Sequence, residues 1–166
     1  MKNILYTLAL LVSFSSFGQT ADEYFNSGLD KFQAKDYYGA ISDYTKAIEL
    51  NPNDYQAYHN RGLSKAYLKD YNGAISDYNK AIELNPNDGD AYYNRGYSKR
   101  ELKDYYGAIA DLNKAIELNP NYPNAYVNRG ISKEDLGDLN GACADWKKAA
   151  ELGNTEAARW VANQCN

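Results

Sequence analysis

The sequence repeats itself with a fixed period of 34 residues, and this feature constrains its fold more than any other. An Asn-Pro-Asn triplet recurs with its proline at 52, 86 and 120, and both 86 − 52 and 120 − 86 equal 34. An Asn-Arg-Gly triplet begins at Asn60, Asn94 and Asn128 with the same spacing. Two markers with one period indicate an array of structural repeats, in which each unit buries its apolar surface mainly against its neighbours.

Alignment on the prolines gives four units, and each unit predicts two helices joined by a turn. The units are 21–54, 55–88, 89–122 and 123–156. In the first unit the second helix places apolar residues at helical spacing, at Ala40, Ile41, Tyr44, Ala47 and Ile48. Pro52 ends that helix, because proline disfavours helical geometry in the residue before it. In the first helix of each unit a glycine, such as Gly62, recurs on one face and predicts a close helix crossing.

The third unit carries a recognisable pattern: Tyr92, Arg95, Gly96, Lys99, Ala108, Leu112 and Pro120. It resembles the tetratricopeptide repeat, whose pattern is W-x2-L-G-x2-Y, then A-x3-F, then P within 34 residues. Arginine replaces the leucine and lysine replaces the second aromatic residue. The resemblance covers residues 21–156 and implies an all-α solenoid of four antiparallel helix pairs, wound as a right-handed superhelix. It also implies that the first helix of each pair lines a concave groove.

The residues after the fourth unit predict a C-terminal capping helix over 157–166. Trp160 falls 34 residues after Tyr126, so this segment corresponds to the start of a fifth first helix. The last unit of a repeat array needs a cover for its apolar face. Trp160 is therefore expected to anchor the cap.

Cys143 and Cys165 are predicted to form a disulfide between the cap and the last repeat. Antiparallel helices bring together residues that lie equally far from the loop between them, and the mean of 143 and 165 is 154, the loop residue Asn154. The bond would close a loop of 22 residues, for which a chain-entropy model gives about 3 kcal/mol. The alternative is two unrelated thiols. A zinc site is disfavoured, because His59 is the one histidine and there is no further cysteine.

The same arithmetic predicts structural ion pairs between adjacent repeats. Each pair has its mean at a loop proline, 52, 86 or 120: Asp43 with Arg61, Asp77 with Arg95, and Asp111 with Arg129. Pairing within one repeat is the alternative, but it would leave Asp43 without an arginine, because Ser27 takes that position in the first unit. Bidentate arginine–carboxylate pairs fix geometry, so these pairs are expected to hold the stack together.

A column of asparagines, one in each unit, is the predicted peptide-binding element: Asn26, Asn60, Asn94 and Asn128. The resemblance implies that this position faces the groove, where an amide can both donate to and accept from a peptide backbone. His59, Tyr93 and Tyr97 are expected to bind beside it. The alternatives are that asparagine merely suits a solvated face, or bonds within the array.

Some family members bind acidic C-termini through a clamp of lysine and asparagine on these first helices. Here Phe25 and Leu29 occupy the clamp positions, which does not support that function. No nucleophile beside a base, glycine-rich phosphate loop or ligand cluster is present in the sequence, so neither catalysis nor a cofactor nor a metal is expected.

The first residues predict a secretory signal peptide over 1–18. Lys2 precedes the apolar run from Ile4 to Val12, and cleavage is expected before Gln19. A membrane anchor is the alternative, but the run is shorter than the ~20 residues that span a bilayer. Loss of Lys2 changes the net charge from −4 to −5, which disfavours nucleic acid and acidic membrane surfaces as partners. The protein is thus expected to be exported, either periplasmic or secreted, without stable membrane insertion.

Taken together, the sequence predicts a non-enzymatic module that binds an extended peptide or protein segment in the concave groove. A structural scaffold of an envelope assembly, which would use convex or end surfaces, is the alternative. An enzyme, or a subunit that presents substrate to one, is a third and weaker hypothesis.

Overall fold

A computed structural model describes residues 19–165, and the predicted signal peptide lies outside the described residues. Within this range the chain forms nine helices and no strand. The helices are α1 Ala21–Gln33, α2 Tyr37–Leu50, α3 Tyr55–Tyr67, α4 Tyr71–Leu84, α5 Gly89–Glu101, α6 Tyr105–Leu118, α7 Pro123–Asp135, α8 Leu139–Glu151 and α9 Thr155–Gln164.

The helices pack as four consecutive antiparallel pairs. Each odd-numbered helix from α1 to α7 makes its most extensive contact with the even-numbered helix that follows it. From α3 onwards, each of these helices makes a smaller contact with the helix that precedes it. The α9 helix packs against α8. The structure therefore confirms the predicted all-α solenoid with a C-terminal capping helix.

The turn inside each repeat is fixed by an aspartate that caps the second helix. The side chain of Asp70 accepts a hydrogen bond from the backbone N–H of Gly73 at 3.0 Å. A Cβ atom at Gly73 would lie 2.2 Å from that carboxylate, so a larger residue would force the capping side chain to shift. Equivalent caps join Asp36 to Gly39, Asp104 to Gly107 and Asp138 to Gly141. This geometry explains why the turn sequence recurs in every unit.

The glycines of the first helices lie at close helix crossings, as the sequence predicts. A Cβ atom at Gly62 would lie 2.9 Å from Cε1 of Tyr78 in the second helix. The same close approach joins Gly28 to Tyr44, Gly96 to Leu112 and Gly130 to Trp146. A large buried side chain of each second helix thus packs directly on the backbone of the first.

The capping helix is held by packing and by a covalent bond. Cys143 of α8 and Cys165, the residue after α9, form the predicted disulfide, with their Cα atoms 5.6 Å apart. Trp160 packs on Trp146 with ring centroids 5.3 Å apart. Ala157 is fully buried in the same cluster. The apolar end of the fourth repeat is therefore covered.

The ion pairs predicted between repeats are wrong: Asp43 with Arg61, Asp77 with Arg95, and Asp111 with Arg129. Each arginine instead binds the aspartate sixteen residues later, in the second helix of its own repeat. Arg61, for example, donates to the two carboxylate oxygens of Asp77, at 3.0 Å from Nε and 2.7 Å from Nη2. Arg95 with Asp111 and Arg129 with Asp145 repeat this bidentate geometry.

The physical reason is that the two helices of one repeat pack more closely than helices of adjacent repeats. The mean of 61 and 77 is 69, which is Lys69 in the turn, so the turn and not the proline loop is the centre of symmetry. The arginines still reach the preceding repeat through Nη1, which donates to a different residue there. Those contacts are Arg61 to Thr45 at 3.1 Å, Arg95 to Asn79 at 2.7 Å and Arg129 to Asn113 at 2.7 Å.

Asp43 is not left alone by this arrangement. Ser27 donates a hydrogen bond to it at 2.6 Å, and the Lys31 ammonium lies 2.6 Å from the same oxygen. Burial raises the pKa of Asp43, but the hydrogen bonds from Lys31 and Ser27 outweigh it, so the pKa lies below its ordinary value. In the other repeats a lysine likewise joins the arginine at the aspartate, as Lys65 does at 2.7 Å from Asp77.

The pairing can be tested with double-mutant cycles that share one arginine. Arg95→Ala and Asp111→Ala are expected to couple by at least about 1 kcal/mol, because each single change leaves a buried charge without its partner. Arg95→Ala and Asp77→Ala are expected to add within about 0.5 kcal/mol. Urea unfolding followed by circular dichroism measures both, and additivity between Arg95 and Asp111 would contradict the assigned pair.

Candidate functional site

The first helices of the four repeats form the inner face of the stack. Successive first helices contact one another, α1 with α3, α3 with α5 and α5 with α7. Successive second helices make no comparable contact anywhere in residues 19–165. Elements on the inside of a curved array lie closer together than those on the outside. The face that carries the asparagine column is therefore the concave one.

The four asparagines of the column have different surroundings. Asn26 is exposed, and Asn60 donates to the carbonyl of Gln56 in its own helix at 2.9 Å. The Nδ2 atom of Asn94 lies 3.3 Å from Nε2 of His59. Asn128 is buried and donates to the Tyr93 hydroxyl at 3.1 Å and to the Asn124 carbonyl at 2.9 Å.

The residue 35 positions before an asparagine of the column decides whether that asparagine forms a hydrogen bond with the preceding repeat. His59 precedes Asn94 and Tyr93 precedes Asn128 by this interval, and each offers a polar atom to the asparagine of the next repeat. Phe25 precedes Asn60 and offers none. The Asn60 side-chain oxygen accordingly accepts no hydrogen bond from residues 19–165, whereas Asn128 is consumed by internal bonds. The two alternatives for the column thus apply to different members: Asn26 lies on a solvated face, and Asn128 bonds within the array.

His59 links two repeats through both ring nitrogens. Its Nδ1 atom lies 3.0 Å from Oδ2 of Asp88, and its Nε2 atom faces the amide nitrogen of Asn94. A neutral ring with its proton on Nδ1 satisfies both contacts, donating to Asp88 and accepting from Asn94. Burial raises the pKa of Asp88, but the hydrogen bonds that it accepts from His59 and from the backbone of Ala91 outweigh burial and hold the pKa below its ordinary value.

An apolar cavity, here called the aromatic pocket, opens between α3 and α5. Its volume is ≈ 280 Å³, and its walls are Leu63, Ala66, Tyr67, Tyr78, Tyr93, Asn94 and Tyr97. The Tyr67 side chain is 57% exposed at the rim. Tyr78 is fully buried, and its hydroxyl has no hydrogen-bond partner in the described part of the chain. Burial raises the pKa of Tyr78 and of Tyr93, so both hydroxyls stay protonated.

A second cavity, here called the amide cleft, lies between the start of α3 and the loop from α4 to α5. Its volume is ≈ 450 Å³, and its lining includes Gln56, His59, Asn60, Asn85, Asn87, Asp88 and Asp90. Amide groups and two carboxylates dominate this lining, and it contains no lysine or arginine. Asp88 also caps α5 by accepting a hydrogen bond from the backbone of Ala91 at 3.0 Å.

The two cavities differ in chemistry, one having mainly apolar and aromatic walls and the other mainly amide and carboxylate groups. His59 and Asp88 form a pair of the kind that can move protons, but the second nitrogen of the ring faces the Asn94 amide and no serine or cysteine lines the cleft. In the range 19–165 no group of three histidine, cysteine, aspartate or glutamate side chains is placed to hold a metal ion.

Five of the seven predicted peptide-binding residues line the two cavities. Tyr93, Asn94 and Tyr97 belong to the aromatic pocket, and His59 and Asn60 to the amide cleft, whereas Asn26 and Asn128 lie outside both. The sequence-based prediction missed Tyr67 and Asp88. A signal for Tyr67 exists, because the corresponding residues of the other repeats are polar: Gln33, Glu101 and Asp135.

Comparison with family models gives matches over much of the described chain. The Tetratricopeptide repeat model matches residues 55–88 and 89–122, and a second model of the same description matches 112–144. The Protein prenyltransferase alpha subunit repeat model matches residues 37–63, which span α2 and most of α3. A comparison with curated proteins gives no match.

Several solved structures share this fold. A crystal structure of MamA protein has a TM-score of 0.80 at 26% identity and covers 85% of this chain and 78% of that one. The first TPR of Spaghetti (RPAP3), bound to the HSP90 peptide SRMEEVD, has a TM-score of 0.70 at 29% identity, with coverages of 72% and 94%. The Arabidopsis OM64 TPR domain has a TM-score of 0.69 at 27% identity, with coverages of 70% and 96%.

The link between Tyr93 and Asn128 is open to a simple test. Tyr93→Phe is expected to lower the free energy of unfolding by about 1 kcal/mol, because the buried Asn128 amide loses an acceptor. Tyr97→Phe removes a hydroxyl that makes no hydrogen bond within residues 19–165, so a change below about 0.5 kcal/mol is expected. Urea unfolding of both variants provides the measurement. Equal effects of the two changes would contradict the assigned bond.

Proposed function

We propose that this chain, which carries tetratricopeptide repeats and is a protein-interaction module, binds an extended segment of a partner protein on its concave face. The observation that carries the proposal is the pair of adjoining cavities, the aromatic pocket and the amide cleft, on the second and third repeats. Concave sites that combine apolar walls with a few placed polar groups are the usual form of a binding site. No catalytic step is part of the proposal.

The asparagines supply a grip on the backbone of such a segment. The side-chain oxygen of Asn60 is free to accept, and Asn94 keeps its oxygen and one N–H after its contact with His59. These are the groups that a peptide N–H and C=O require, whatever the peptide sequence. Side chains of the bound segment then add selectivity by entering the two cavities.

The structural relatives support binding of a peptide but do not identify its sequence. The Spaghetti domain binds the acidic peptide SRMEEVD. In this chain Phe25 and Leu29 stand where the family's carboxylate clamp has lysine and asparagine, and the amide cleft carries Asp88 and Asp90. An acidic segment would meet no clamp and two like charges, so we do not propose a partner of that kind.

A scaffold that associates through outer surfaces is the second candidate. Tyr38 and Tyr106, at equivalent positions near the start of α2 and α6, are 76% and 77% exposed. Exposed aromatic side chains that recur along an array are suited to contact with another protein. This candidate leaves the concave face unused.

Matched variants separate the two candidates. A partner is first captured from the native envelope fraction with the unaltered protein and identified by mass spectrometry. The groove variant Asn60→Ala/Asn94→Ala is expected to reduce its retention at least tenfold, because the backbone grip is lost. The outer-surface variant Tyr38→Ala/Tyr106→Ala is expected to retain it fully. The reverse pattern would replace groove binding with the scaffold function.

Export into an oxidising compartment, periplasmic or extracellular, is also part of the proposal. It is supported by the disulfide between Cys143 and Cys165, because disulfides persist in such compartments and are rare in the cytosol. Separately, none of the helices within residues 19–165 is long and apolar enough to cross a membrane.

Trapping of free thiols in native material tests the export proposal. Alkylation in the denatured state, without reductant, is expected to modify neither cysteine. A Cys165→Ala variant, as control, is expected to take up one alkyl group per molecule. Two modified thiols in the unaltered protein would indicate a reducing compartment and contradict export.

A further inference from the structure

The lysines and arginines of the two helices that frame the cavities, α3 and α5, are all engaged outside the amide cleft. On α3, Arg61 and Lys65 bind Asp77. On α5, Arg95 and Lys99 bind Asp111. Arg100, the remaining cation of α5, has its Nη2 atom 2.6 Å from Oε1 of Glu101. Its guanidinium carbon lies 5.0 Å from the centroid of the Tyr97 ring. None of these five cations lines the amide cleft.

The carboxylates of the amide cleft are therefore not neutralised by a cation of fixed charge. Asp88 pairs with His59, and neither Asp88 nor Asp90 lies in an ion pair with lysine or arginine within residues 19–165. Asp90 is exposed, so it is accessible to a partner. The remaining lining consists of amide, tyrosine and glycine groups that accept hydrogen bonds from an ammonium or guanidinium group. The cleft thus complements a positively charged side chain.

The aromatic pocket complements a different kind of side chain. Its volume of ≈ 280 Å³ is below the range usual for cofactor sites, which suits a single side chain. Leu63, Ala66 and the tyrosine rings present mainly carbon, and the fully buried Tyr78 forms part of the wall. A charged group would lose its water there without gaining an opposite charge. The pocket therefore favours an aliphatic or aromatic side chain.

One hydrogen-bonded pair of side chains separates the two cavities. His59 lines the amide cleft, Asn94 lines the aromatic pocket, and their nitrogen atoms are 3.3 Å apart. In an extended segment, residues two apart point to the same side and are separated by about 7 Å. A segment that lies along this face can therefore place one side chain on each side of the His59–Asn94 bridge.

We infer that the second and third repeats select an extended segment in which an apolar residue and a lysine or arginine are two positions apart. The apolar side chain enters the aromatic pocket, and the basic side chain enters the amide cleft beside Asp90. This inference rests on the proposed groove binding and adds the chemistry of the segment that is bound.

A peptide library displayed on phage, selected on the purified disulfide-bonded protein, tests the inference. The enriched peptides are expected to share an apolar residue and a basic residue at a spacing of two. One such peptide is then compared with a neutral counterpart, in which methionine replaces the basic residue, by calorimetric titration. The basic peptide is expected to bind about fivefold to tenfold more tightly at low salt, and the difference should shrink as salt screens the charge.

Variants of the protein assign each half of the motif to its cavity. Asp90→Asn is expected to remove the advantage of the basic peptide and leave the neutral one unchanged. Asp30→Asn, which alters an exposed carboxylate of α1 outside the cleft, is expected to change neither. Tyr67→Ala is expected to weaken both peptides about fivefold or more, but not a peptide with alanine at the apolar position. Circular dichroism confirms that each variant keeps its helices.

The outcomes are distinguishable. Failure to enrich any peptide would overturn both the inference and groove binding. Enrichment of peptides that are acidic, or that lack the apolar–basic spacing, would overturn the inference and leave groove binding in place. Equal loss of both peptides on Asp90→Asn would overturn the role of charge. A dimer in analytical ultracentrifugation that Tyr67→Ala dissociates would show a second copy of the chain as the occupant, and would also overturn it.

Discussion

The buried aspartate of each second helix is the centre on which the stack depends. Asp77 receives Arg61 and Lys65 from the first helix of its repeat, and the same arginine donates to Thr45 in the preceding repeat. A single guanidinium group thus joins three helices. A carboxylate that is buried to this extent needs its charge and its lone pairs satisfied, which fixes the relative position of all three. Because the arrangement recurs in each later repeat, it sets the register of the whole array.

This arrangement also determines the charge of the concave face. The cations that the first helices carry at these positions are drawn towards the second helices. The carboxylates near the start of α5 remain without such partners, and the cleft beside them is acidic. The negative charge of the proposed binding surface therefore depends on how the repeats are held together as well as on Asp88 and Asp90.

Much of the fold could be predicted from the sequence, and the features that could not be predicted depend on packing between helices. The period, the capping turns and the crossing glycines each act within a few residues, so the helix pairs and the Cys143–Cys165 bond could be predicted. The ion pairs could not, because the turn and the proline loop are both valid centres of symmetry and only packing distinguishes them. The asparagine column looks uniform in sequence, but the surroundings of its last three members depend on the residue 35 positions earlier, Phe25, His59 or Tyr93. Tyr67 and Asp88 join the site through contacts between repeats, which a single unit does not reveal.

The disulfide at the C-terminal end gives the array a direction. A linear stack opens from its ends, because a terminal repeat has one neighbour instead of two. Here the end of α9 is tied to α8 by the disulfide, whereas no disulfide joins α1 to the repeat that follows it. Among the repeats that the structure describes, we therefore expect the first to open more readily than the fourth. The second and third repeats, which carry both cavities, lie between the first repeat and the disulfide. The first repeat can therefore lose order while the proposed recognition surface stays assembled.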